Sequence, residues 1–154
     1  MFKIFLLLCL TISLQASGWR PSNEFLAALR LVESSNGKNL VGDHGKSLGD
    51  FQMSEAAWLD VSSWRKGRGL RVYSFEAHAL HPKINRLYAA DYLCLLHKEL
   101  SKELKRPPTP SELYAAYNLG MGTFARCDYK LRKVNPVTAK KCGQIGEFLR
   151  RKAG

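Results

Sequence analysis

The sequence predicts a single domain of α+β class, mostly α, with one small strand region. Three observations carry that expectation. Apolar residues recur three and four positions apart in several separate stretches, the spacing of one helix face. Helix-start signals precede those stretches; the firmest is Thr109-Pro110-Ser111-Glu112, a capping box with proline in the first turn. Glycine clusters instead at Gly42, Gly45 and Gly49, which means tight turns or close backbone approach beside a short sheet edge, Leu48 to Met53. With 154 residues and 45% apolar content, the chain is long and greasy enough for one compact core.

Met1-Phe2-Lys3 supplies a positive start, Ile4 to Leu14 an apolar run too short to span a bilayer, and Ala16-Ser17-Gly18 small residues before Trp19. This is the form of a secretory signal peptide over residues 1–18, leaving an exported domain over 19–154, periplasmic or secreted. Ser22 or Asn23 caps a first helix, with Glu24 in its first turn and Phe25, Leu26, Leu29 and Val32 on its apolar side. It ends near Ser34-Ser35, before the turn dipeptide Asn36-Gly37. Ser54 opens a second helix carrying Ala56, Ala57, Trp58 and Val61, and Trp64 to Gly69 follows as a basic loop. Either tryptophan could stack on a ligand ring; core packing is favoured for Trp58.

Residues 73–79 carry no clear pattern. His81-Pro82 starts the longest helix, with Ile84, Leu87, Tyr88, Tyr92, Leu95 and Leu96 apolar, and it runs out before Pro107-Pro108. The helix after the capping box, Leu113 to Leu119, ends at Gly120 and carries Tyr117 and Asn118 at its C-terminal end. A further helix from about Thr123 holds Phe124 and Leu131, and Gly143 to Arg151 forms the last one. Nothing repeats, and no later segment is long and apolar enough for stable membrane insertion.

The 24 Lys and Arg against 13 Asp and Glu give +11, or +10 once Lys3 leaves with the leader. Such a balance favours anionic partners. Export, and the lack of a basic run with interleaved aromatics, argue against nucleic acid. Cys9 leaves with the leader, so Cys94, Cys127 and Cys142 remain in an oxidising compartment. Cys127 and Cys142 bracket a short loop and are the preferred pair, with Cys94 a buried free thiol. His44, His78, His81 and His97 lack ligand spacing, so no metal and no cofactor is expected.

One acid stands apart. Glu33 follows Leu26 and Leu29 at seven and four positions, on the same helix face. A carboxylate on a buried stripe is costly as an anion, and a carboxylic acid kept protonated at the lip of a cleft suits cleavage of a glycosidic bond.

Three separated pieces then fall in order: Glu33-Ser34 at a helix end, Gly49 followed by Gln52, and Ala116-Tyr117-Asn118-Leu119-Gly120 on a later helix. Together they resemble the lytic transglycosylase and goose-type lysozyme superfamily, the soluble lytic transglycosylase domain in particular, from about Trp19 to Phe148. The resemblance implies a lysozyme-like fold with a small β region beside an active-site cleft. It implies a substrate too: the β-1,4 link between N-acetylmuramic acid and N-acetylglucosamine in the glycan strands of peptidoglycan, cut by a monomer. Glu33 would be the catalytic acid and base, Gln52 would bond sugar, and Tyr117 with Asn118 would position the muramic residue and the acid. After Gln52, Met53-Ser54-Glu55 stands where the family has an apolar-Met-Pro run, and Asp50 and Phe51 also differ. Gly42-Asp43-His44-Gly45 resembles instead the goose-type segment whose aspartate helps activate water.

Two mechanisms therefore stay open. In one, Glu33 acts alone and a 1,6-anhydro sugar leaves; in the other, Asp43 or Glu55 directs water and an ordinary reducing end results. The first is favoured. Two other classes compete: a wall-binding module without chemistry, and a secreted basic protein acting on polyanions or membranes. The first would not need an acid on an apolar face, and no strongly amphipathic basic helix supports the second.

Overall fold

A computed structural model describes residues 18–154; apart from Gly18, the expected signal peptide lies outside the described residues, as does Cys9. The architecture is mostly helical with one small antiparallel sheet. In chain order the elements are α1 (Asn23–Ser34), β1 (Val41–Gly42), β2 (Ser47–Leu48), β3 (Met53–Ser54), α2 (Glu55–Lys66), α3 (Phe75–His78), α4 (Pro82–Leu104), α5 (Pro110–Leu119), α6 (Met121–Arg126) and α7 (Pro136–Ala153). Short 3₁₀ turns at Asp43–Gly45 and Leu131–Lys133 complete it.

α5 is the hub. Its residues from Glu112 through Tyr117 are all buried, so it has no solvent face in mid-helix. It packs on α4, α6 and α7, while α7 also covers α1 and α2 covers α4. Ala115 and Ala116, both fully buried, keep the helix narrow where its neighbours approach. The capping box is as the sequence predicts: Thr109 Oγ1 accepts from Glu112 N and Glu112 Oε2 accepts from Thr109 N. Glu112 is also gripped by both terminal nitrogens of Arg106 at 2.9 and 2.7 Å.

The sheet runs β1-β2-β3, with Val41 opposite Leu48 and Leu48 opposite Met53. The stretch from Leu48 to Met53 is thus two strand ends joined by a turn rather than one edge. Buried Asn85 on α4 fastens that turn, accepting from Phe51 N at 2.9 Å and donating to Leu48 O at 3.1 Å. Gly49 makes the approach possible: its φ is +82°, and a Cβ there would lie 2.4 Å from both Asn85 and the Ala79 carbonyl.

Four further sequence expectations need correction. Trp64, Arg65 and Lys66 close α2 instead of opening a loop, because Arg65 points inward. Its guanidinium pairs with buried Asp91 of α4 and its Nε donates to Arg71 O at 2.7 Å; Asp91 also takes Arg20 at 2.9 Å. α6 stops at Arg126, and Leu131 belongs to a separate 3₁₀ turn beyond two left-handed residues, Asp128 and Tyr129. α7 begins at Pro136, not near Gly143, since Asn135 caps it by accepting from Thr138 N at 2.9 Å. Cys94, Cys127 and Cys142 are all free thiols. Cys142 is buried in α7, whereas the Cys127 sulfur faces the Lys133 carbonyl at 3.5 Å. Cys94 is half-buried. Trp58 is a core residue, as favoured: it stacks on Tyr88 at 3.9 Å and donates its indole N–H to Tyr73 O.

Candidate active site

Glu33 is the last residue but one of α1, and the chain turns sharply behind it. Ser35, Asn36 and Gly37 all have left-handed backbone, with φ of 51°, 64° and 87°. Ser34, fully buried, holds that reversal: its hydroxyl donates to Arg30 O at 3.0 Å and accepts from Gly37 N at 2.8 Å. Its carbonyl accepts from Lys38 N and Asn39 N. The serine after the glutamate therefore ends the helix and fixes where Glu33 stands. Arg30, one turn earlier, lies 3.1 Å from Asp50 in the β2–β3 turn and ties the helix end to the sheet.

The Glu33 side chain is only 7% exposed. Its Oε1 accepts a hydrogen bond from Tyr114 of α5 and lies 3.5 Å from Lys141 Nζ of α7. Oε2 makes no hydrogen bond among the described residues. Burial first, and then the neighbouring Glu33, hold the Tyr114 phenol far above its ordinary range, so it remains a donor.

Glu33 lines a cleft of about 1000 Å³ between the helices and the sheet. Asp43, Gln52, Tyr117 and Asn118 line the same cleft, so all five residues singled out in the sequence come together. Glu55 does not; it is exposed at the start of α2.

Their side chains are partly committed. Gln52, in left-handed backbone at φ 46°, donates its amide to Asn39 O at 3.1 Å and Gly49 O at 2.9 Å. It braces the loop and offers the cleft chiefly its carbonyl oxygen, which sits against Gly42; a Cβ on Gly42 would lie 2.0 Å from it. The Tyr117 hydroxyl donates to Phe51 O at 2.7 Å, with Met53 Sδ at 3.1 Å, and so joins α5 to the hairpin. Burial holds this phenol too above its ordinary range. The Asn118 carbonyl oxygen accepts from Thr138 Oγ1 at 2.7 Å, which aims its amide N–H groups elsewhere. Asp43, exposed at the rim, accepts from Ser47 Oγ at 3.1 Å.

Sequence reasoning missed Tyr114, Lys141 and the cleft-lining Asp60, Tyr92 and Glu99, but it named Trp64, which lines the cleft, as a residue that could stack on a ring. Tyr114 lies three residues before Tyr117, a spacing that places both on adjoining parts of one helix face. Nothing in the sequence links Lys141 to Glu33. Tyr92 lines the cleft edge-on to Tyr117 at 5.6 Å between ring centres, and its phenol is pushed up to about 12, by burial first and then by Asp60 and Glu99. Trp64 lines the cleft beside them with the Arg68 guanidinium 4.2 Å from its ring centre. The lining thus adds a flat ring and two further carboxylates to the cleft. Comparison with protein-family models, curated proteins and solved structures gives no match.

Proposed function

We propose that this chain is an exported, monomeric peptidoglycan-cleaving glycosidase with a lysozyme-like arrangement, acting on the β-1,4 bond between N-acetylmuramic acid and N-acetylglucosamine. The observation that carries it is a carboxyl only 7% exposed that nonetheless faces a roomy cleft. Tyr114 and Lys141 both address Oε1, which leaves Oε2 for the proton aimed at a glycosidic oxygen. General acid catalysis needs that geometry: one fixed oxygen and one oxygen turned to the reacting bond.

In the reaction Glu33 in its acid form protonates the bridging oxygen, and the substrate's own N-acetyl group stabilises the developing cation. The C1–O bond breaks and the N-acetylglucosamine side leaves with that proton; Glu33, now a base, takes the proton of the C6 hydroxyl, whose oxygen bonds C1 to close a 1,6-anhydro muramyl end. A second reading, hydrolysis with Asp43 directing water, rests on the position of Asp43 in the same cleft. For inversion, the two carboxyl groups need to stand about 6.5–9.5 Å apart. Mass spectrometry of digested, purified wall decides between the two. Anhydro ends, lighter by one water, are expected; reducing ends alone would favour the Asp43 reading. Binding without any cleavage would favour a wall-binding module.

A further inference from the structure

The charge of the cleft is opposite to that of the molecule. The chain carries +11, yet Glu33, Asp43, Asp60 and Glu99 line the cleft. Among the described residues lining it, Lys141 is the one cation. A polyanion attracted to the outer surface would meet carboxylates along this groove, with Lys141 beside Glu33 and, over the Trp64 ring, Arg68 as the cations near it.

Lys141 is built to change partners. Its Nζ is 3.5 Å from Glu33 Oε1 without a hydrogen bond, so its three N–H donors remain available. Its side chain is 28% exposed, within reach of a ligand. Glu33 would not be stranded if the ammonium turned away, because Tyr114 already donates to the same oxygen. Val137, one turn before Lys141 on α7, also lines the cleft, which fixes that helix face toward the ligand.

We infer that Lys141 is the specificity-determining residue of this cleft, binding a carboxylate on the glycan and thereby setting which bond meets Glu33. This rests on the glycosidase reading above. In an alternating strand freed of its peptides only the muramic residue bears a carboxylate, on its lactyl group; where a peptide is attached that carboxyl is an amide and offers Lys141 no anion. A single cation beside the acid therefore seats a muramic residue there, and the link cut is the one on its reducing side. Asp43, Asp60 and Glu99 elsewhere on the lining would repel a carboxylate placed beside them.

The test compares peptide-stripped glycan strands, whose lactyl carboxylates are free, with the same strands after methyl esterification. Wild type, Lys141→Met and Lys141→Arg are assayed for cleavage and, by calorimetry, for binding. The wild type is expected to show a KM about tenfold lower on free-acid strands than on esterified ones, with kcat little changed. Lys141→Met should erase that difference and Lys141→Arg restore most of it; circular dichroism checks that both variants fold. Equal KM values for the two strands, or full discrimination by Lys141→Met, would overturn the assignment while leaving the glycosidase reading intact. Discrimination in binding that depends on Lys141 without any bond cleavage would do the reverse.

Discussion

Deleting the hydroxyl of Tyr114 leaves the ring in the core and removes the one hydrogen bond to the Glu33 carboxyl among the described residues. Hydrogen bonds to charged groups are each worth about 1.5–3 kcal/mol. Tyr114→Phe should therefore lower kcat by about tenfold or more with KM nearly unchanged, since substrate contacts elsewhere persist. A rise in KM at constant kcat would show that Tyr114 serves binding instead. Glu33 was legible in the sequence because two leucines on its own helix reported its face. Tyr114 was not, because its partner lies 81 residues away and only folding makes them neighbours. Tyr117 and Gln52 were legible as cleft residues but not in their duties. Each spends its donor on backbone carbonyls, a commitment that residue type and spacing do not encode.

At the scale of elements, the cap of α5 governs acid stability. Arg106 first, then the Thr109 backbone N–H, draw the Glu112 carboxyl down to about 2 from an ordinary 4.5, against the opposing effect of burial. The unfolded chain thus binds the extra proton between those values, so stability rises with pH across the window. The contribution is complete above about pH 4.5 and lost as pH falls toward 2. Thermal melts of Glu112→Gln should show a shallower loss between those limits than wild type; parallel curves would remove Glu112 from that role. The β2–β3 turn offers a sharper case. Gly49→Ala would place a Cβ 2.4 Å from Asn85 and from a backbone carbonyl, at a φ of +82°. A loss of at least about 2 kcal/mol in urea unfolding is expected; a neutral result would mean the turn is free to move off α4. Starts marked by a side-chain cap, at Ser22, Ser54 and Thr109, were legible. α7 was misread because Asn135-Pro136 looked like loop, and the polar run from Thr138 to Lys141 hid the buried Thr138 and Cys142.

Across the whole molecule, Asp91 joins the segment before α1, α2 and α4 through Arg20 and Arg65. Asp91→Asn would leave the Arg65 cation buried without its partner and should cost about 3–5 kcal/mol, read by chemical denaturation. A loss under about 1 kcal/mol would show that water reaches Arg65. Composition described the outside of this protein and not its groove: the net positive charge was plain, but the acidic lining depends on which few residues face inward. The mostly helical class with one small sheet was legible because periodicity and caps are local. The cleft was foreseen only as a consequence of resemblance. Under the proposed function, the proton that cleaves the glycan comes from Glu33. The most direct measurement is the rate of new glycan ends formed from purified wall by wild type and by Glu33→Gln, at matched folding. Loss of the acid should lower that rate by about 10²–10⁴-fold with strand binding retained; undiminished cleavage by Glu33→Gln would contradict the account.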